Sequence, residues 1–234
     1  MRIIKNGNGA ANHYADLATI SFSLMSKSRD KNILLEKYLY DYKTFTARIG
    51  NFITQENLDT QLYFDNYTSS EHKKRIEKED KGKKEVEYIL EYYYIMGDFS
   101  LNINLINGNR EVIAKLIRLV EDINKDLDIS YHIKFTLQKE TEAKVRAQAT
   151  NNALDNIKIE VENIAGHLNK SKVELLEINF IRDRNLAYSD MAIMNKSAIR
   201  GAMTEAEKIE LLDEMLESKD IEISSSFGSV WEVS

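Results

Sequence analysis

At 234 residues and 43% hydrophobic content the chain can bury a substantial core, and the absence of cysteine excludes disulfides, thiolate metal sites and a thiol nucleophile. A net charge of −6 argues against a dedicated nucleic-acid binder, because neutralising phosphates takes clustered Lys and Arg. No run approaches the ~18 apolar residues of a membrane span, and the polar opening MRIIKNGNGAANHYADL lacks the apolar core of a secretory signal, so a soluble, cytoplasmic chain is expected.

Tyr14 to Met25 alternates as a strand, with Ala18, Ile20, Phe22 and Leu24 on the face to be buried. Ser28 is placed to cap a helix over Arg29 to Phe52, whose Ile33, Leu34, Tyr38, Tyr42, Phe45 and Ile49 form an apolar stripe closed by Gly50. Leu58 to Tyr67 then reads as a second strand. The same order recurs: a strand over Tyr88 to Leu105, a turn and cap at Asn107-Gly108-Asn109, a helix over Arg110 to Ile123, and a strand over Leu127 to Leu137. In that helix Val112, Ile113, Leu116, Ile117 and Val120 point inward. Two strand-helix-strand units with short connections would set their helices on one face of a shared sheet.

A long helix follows, marked by Ala143, Ala147, Leu154, Ile157, Val161, Ile164 and Leu168, then a strand over Lys172 to Ile181 and a last one over Ile221 to Trp231. The fold class is therefore α+β, with helices packed on antiparallel-rich sheet. One domain over 1–234 is expected, divisible into sub-lobes 1–87 and 88–234.

Two insertions interrupt this regularity. Ser69 to Glu87 is densely charged around a tip at Lys81-Gly82-Lys83, and reads either as a solvated hairpin or loop or as an arm that grips a neighbouring subunit. Arg182 to Lys219 is a long loop, with a capping signature at Thr204 and Glu207 that predicts a short helix over Glu205 to Glu217.

Several of these positions together resemble the SIMPL-domain family, which takes its name from a mouse kinase-interacting protein and includes bacterial periplasmic antigens. Gly7-Asn8-Gly9 followed by Ala15-Asp16-Leu17-Ala18 is similar to the family's glycine pair and Pro-Asp-x-Ala opening, with Ala15 where proline is usual. Ile53, Leu58, Asp59-Thr60 and Tyr67 resemble its passage from first helix to strand. Ala149, Ala153, Ile157, Val161-Glu162, Ile164-Ala165 and Leu168 follow the spacing of its alanine-rich helix. Bulkier Ile157 and Val161, where the family carries more alanine, predict a wider gap between helix and sheet. The resemblance implies the same α+β fold and a tendency to build ring-like oligomers, and it brings no catalytic residue set.

Chemistry is sparse. His13, His72, His132 and His167 lie outside metal-ligand spacing of one another, Gly7-x-Gly9 lacks the helix and third glycine of a nucleotide loop, and no Gly-x-Ser-x-Gly elbow occurs. No metal, no cofactor and no enzymatic activity are expected. Tyr92-Tyr93-Tyr94 in a strand reads as sheet packing or as a stacking platform for a flat ring. Arg182, Arg184, Asn185 and Tyr188 open the long loop, and Lys196 and Arg200 can join them. Two arginines can hold a phosphate or carboxylate bidentately, and they can equally pair with nearby acids at the surface. The sequence thus leads to a non-enzymatic homo-oligomer acting through self-assembly and partner binding, using the loop and the charged arm. The alternative is a binding or sequestering protein for a small anionic, nucleotide-like ligand, held between subunits by those loop residues with Tyr188 or Trp231.

Overall fold

The computed structural model describes residues 1–80, 83–105, 110–180 and 220–234. Its elements in chain order are β1 (Arg2–Tyr14), β2 (Leu17–Ser28), α1 (Lys31–Gln55), β3 (Leu62–Asp80), β4 (Lys83–Asn104), α2 (Arg110–Ile123), β5 (Asp128–Thr136), α3 (Lys139–His167), β6 (Val173–Phe180) and β7 (Asp220–Val233). The expected α+β class holds, but the strands form two sheets, β1-β7-β6 and β3-β4-β2-β5, in place of the single shared sheet expected. Among the described residues one compact unit gathers 1–16, 135–180 and 220–234, and the other 17–80, 83–105 and 110–134. That division follows the two sheets and does not follow a boundary at residue 87.

In the second unit α1 lies across β2 and β4. Ala18, Ile20, Phe22 and Leu24 are each 1% exposed or less, as their alternation predicts. Phe45 of α1 meets Phe22 edge-on at 5.5 Å and Phe99 of β4 at 5.1 Å, and Tyr42 stands 5.8 Å from Phe99. The helix differs from expectation at both ends. Asp30, not Ser28, is the cap, its carboxylate accepting from Asn32 N at 2.8 Å. The helix runs through Gly50 to Gln55, and the left-handed residue just past its end is Asn57, at φ 49°. Ile33 is 54% exposed, and buried Asp41 takes a place on the inner face, accepting from Ser26 Oγ and Lys37 Nζ at 2.6 Å each.

Gly97 of β4 makes room for Tyr38: a Cβ there would meet the Tyr38 hydroxyl far inside contact distance. That hydroxyl is buried and, among the described residues, has no hydrogen-bond partner, and burial raises the phenol above its ordinary pKa. An unsatisfied buried donor costs stability that an isosteric apolar ring does not. Tyr38→Phe is accordingly expected to stabilise the protein by roughly 1 kcal/mol in urea melts; a loss of stability would show that the hydroxyl has a partner.

The first unit packs α3 on β1 and β7. Val145, Ala149, Ala153, Ile157, Val161 and Ala165 are the buried row, at an unbroken spacing of four. The predicted stripe was shifted at its ends, for Ala143 and Ala147 are exposed and so is Leu168. β1, unpredicted as a strand, faces that row with Ile3, Gly7, Gly9 and Ala11. Its glycines remove the Cβ atoms that would otherwise strike Ile157 and the backbone at Ala149 and Ala153. Helix and strand therefore approach closely at this point, where bulkier helix residues had predicted a gap.

Candidate functional site

Of the residues expected to form a binding site, Arg182, Arg184, Asn185, Tyr188, Lys196 and Arg200 lie outside the described residues, as do the predicted helix at 205–217 and the Asn107-Gly108-Asn109 turn. Trp231 is described and is not a binding aromatic. It is 5% exposed in a core with Ile3, Ala153, Ile157, Val161 and Phe227. Its indole N–H donates to Ser229 Oγ at 2.8 Å, and that hydroxyl donates to the Lys5 carbonyl at 3.1 Å. With its face packed and its polar atom satisfied, Trp231 offers a ligand neither stacking nor a donor.

The charged insertion is the feature that the structure develops most. β3 and β4 pair antiparallel from Leu62↔Leu101 to Asp80↔Lys83, with residues 81–82, outside the described residues, between them. β2 pairs with β4 only as far as Ser28↔Tyr93. Among the described residues the sheet beyond Tyr93 is thus reduced to a two-stranded ribbon, reaching roughly 30 Å at 3.3 Å per residue. The predicted hairpin is correct in kind, and it is much longer than the segment 69–87, since it is continuous with strands on both sides.

The base of the ribbon is fixed by a polar and aromatic cluster. At a bulge between His72 and Lys73, His72 stacks on Tyr92 with centroids 4.7 Å apart and planes 14° apart, and its Nε2 is 3.4 Å from Glu91. Tyr92 meets Tyr94 edge-on at 6.5 Å, and Lys27 Nζ lies 5.6 Å above the Tyr92 ring. The hydrogen bond from Lys27 to Asp128, 2.8 Å long, holds the ammonium above the usual lysine range despite partial burial. Both expected readings of the tyrosine run are thereby narrowed: Tyr92 does stack, and its partner is a histidine of its own sheet.

Further out the ribbon is apolar as well as charged. Val86, Tyr88, Ile89 and Leu90 are 44%, 64%, 43% and 39% exposed. A two-stranded ribbon is marginally stable alone in water, and contiguous exposed apolar side chains mark contact surfaces. Tyr88, Ile89 and Leu90 fall within the strand expected over Tyr88 to Leu105, so in the sequence the arm is marked by its charges alone.

Burial, helped by the charge of Glu121, pushes the Tyr131 phenol up to about 12. His13 Nδ1 is 2.7 Å from the Tyr14 carbonyl oxygen, and His167 sits in the last turn of α3, where a cation is favoured. Among the described residues no group of three or more His, Asp or Glu side chains is arranged to hold a metal ion, and no helix is long and apolar enough to cross a membrane. The sequence profile of the SIMPL family, described as a protein of unknown function (DUF541), matches residues 3–231. No curated protein matches the chain.

Proposed function

The chain belongs to the SIMPL family, and from that premise we propose that it is a non-enzymatic protein that works by self-assembly and partner binding, with the β3–β4 ribbon as its contact arm. The observation that carries this reading is the ribbon beyond Tyr93, where two strands, with no third among the described residues, expose Val86, Tyr88, Ile89 and Leu90. Covering those side chains removes apolar surface from water at roughly 25 cal/mol per Å², and the covering partner supplies the packing that the ribbon lacks. The charges suit such a role. Lys73, Lys74 and Arg75 on β3 stand opposite Leu90, Ile89 and Tyr88 on β4, so each apolar side chain has a cation beside it for orientation and solubility.

The test is to trim the arm. Replacing residues 73–91 with Asn-Gly joins His72 to Tyr92, a pair already in register, and a two-residue type I′ turn suits that junction. Light scattering on the eluted protein is expected to give fewer chains per assembly than the parent has, with a cooperative melt retained. A folded, trimmed protein with an unchanged number of chains per assembly would sink the proposal.

A further inference from the structure

A second contact surface lies in the first unit, on the outer edge of β1. This strand pairs with β7 in an unbroken register from Arg2↔Glu232 to Tyr14↔Asp220. It has no other neighbour among the described strands. Exposed strand edges present unpaired N–H and C=O groups and are ordinarily blunted by charge, bulges or proline. β3 and β6, edge strands too, carry bulges at Phe64/Asn66, His72/Lys73 and Leu175/Glu177. β1 has none, and its stretch Asn6-Gly7-Asn8-Gly9-Ala10-Ala11-Asn12 has no charge at all.

Which backbone groups are available follows from the ladder. The Met1 carbonyl accepts from Val233 N at 2.8 Å, so odd-numbered residues turn their backbone groups to β7 and even-numbered residues turn theirs outward. Consistent with this, the Ala10 carbonyl accepts from Asn152 Nδ2 of α3 at 2.8 Å. One helical turn further, Asn156 and Ile159 border an open groove of about 420 Å³ beside Asn6, Gly7 and Asn8. Ile159 is 58% exposed, although it lies on a helix whose neighbouring Ile157 is 2% exposed. A backbone edge without bulge, held by α3 at the Ala10 carbonyl, and an uncovered apolar side chain thus share one groove, which Glu160, paired with Lys5 at 3.0 Å, also borders.

We propose that this edge pairs antiparallel with β1 of a second copy of the chain, across a two-fold axis near Asn8, giving a continuous sheet β6-β7-β1-β1-β7-β6. The distribution of charge suits a second copy in antiparallel register, where the uncharged stretch from Asn6 to Asn12 meets itself. Arg2 and Lys5 are the only Lys, Arg, Asp or Glu residues of β1, and both lie at one end. Antiparallel self-pairing separates them, setting Lys5 against Ala11 when the axis passes at Asn8, whereas parallel pairing would superimpose like charges. The symmetric arrangement also brings the two α3 helices alongside each other through Asn156 and Ile159, and an isologous contact of this kind closes on itself. This surface is independent of the ribbon.

The absence of cysteine makes the experiment clean. Single variants Asn6→Cys, Asn8→Cys, Ala10→Cys and Asn12→Cys in the full chain, with Tyr88→Cys as a ribbon control, are oxidised and read as disulfide-linked dimer on a non-reducing gel. Across an antiparallel two-fold, each step of two residues from the axis separates the paired Cα atoms by a further ~13 Å, beyond the ~7 Å limit of a disulfide. Cross-linking is therefore expected to peak sharply at one position, Asn8 or its neighbour, and to survive in the ribbon-trimmed chain. Asn8→Pro, which deletes an outward N–H and leaves the β1–β7 bonds, is expected to halve the mass of that dimer. A flat or absent profile along β1 overturns the inference, whether or not the ribbon assembles; where Asn8→Pro fails to fold, the cysteine profile alone decides.

Discussion

Gly9→Ala is expected to be among the most destabilising single-methyl additions in this protein, costing roughly 3 kcal/mol or more, the upper end for overpacking a well-packed core. A Cβ at Gly9 would lie far inside contact distance of Ala149 O and Ala153 N, and 2.8 Å from Ala153 Cβ. Two of these are backbone atoms of α3, so relief requires the helix to move, and the helix is held along its length by the row from Val145 to Ala165. Gly7→Ala is expected to cost less, although it too meets a close neighbour. The atoms in its way are Cδ1 and Cγ1 of the Ile157 side chain, with the Ala153 carbonyl at 3.2 Å, so relief asks first for a side chain to shift and not for the helix backbone. Gly50→Ala supplies the opposite sign: it lies within α1 with nothing near its missing Cβ, and is expected to stabilise by about 0.5–1 kcal/mol through helix propensity. Urea melts of the three variants test the order Gly9 worst, Gly7 intermediate, Gly50 improved. Equal costs at Gly9 and Gly50 would mean that the glycine pair has no packing role.

The same glycines explain what was legible in the sequence and what was not. Leu17 to Ser28 and Arg110 to Ile123 announce themselves because their buried positions are large and apolar, so the period of burial is also a period of hydrophobicity. In β1 the buried positions after Ile3 include Gly7, Gly9 and Ala11, and the exposed ones include Asn6, Asn8 and Asn12. Glycine and asparagine are depleted in strands, so the strand is written in residues that argue against it. What supports it is long-range: β7, more than 200 positions later in the chain, and a row of small residues on α3. The charged arm is a second case. Its strand character lies in cross-strand register, which alternation of Lys and Glu does not encode, whereas its tip and its hairpin form were readable from Lys81-Gly82-Lys83. Trp231, offered by the sequence as an aromatic beside the loop residues, sits among Phe227, Ile157 and Ser229, neighbours that its own strand pattern does not reveal.

Asp16→Ala is expected to cost about 3 kcal/mol, for reasons that reach the whole first unit. Asp16 is 7% exposed and stands between β1 and β2, yet its carboxylate serves α3. Oδ1 accepts from the backbone N–H of Gln138 at 2.6 Å, and Oδ2 accepts from Thr141 Oγ1 at 2.5 Å. Gln138, the capping residue of α3, makes no side-chain cap bond of its own, and Asp16 anchors the start of the helix by holding the Gln138 backbone N–H and the Thr141 hydroxyl. The backbone N–H of Asp16 donates in turn to the Thr136 carbonyl at 3.2 Å, tying the strand that precedes α3 to the same residue. Alanine would strand a backbone donor and a hydroxyl together and remove an anion from the positive end of a helix. Hydrogen bonds to a charged acceptor contribute about 1.5–3 kcal/mol each, and an ordinary cap about 1. Asp16→Asn keeps the shape and one acceptor oxygen, and turns its amide toward the other donor, so an intermediate cost is expected. Thr141→Val should be costly in the parent and nearly neutral beside Asp16→Ala, because the partner has already gone. Urea melts of the four proteins measure that coupling, and hydrogen exchange in the first turn of α3 reports whether the loss begins there. An Asp16→Ala protein within about 0.5 kcal/mol of the parent, the range of ordinary surface substitutions, would show that α3 starts without this carboxylate.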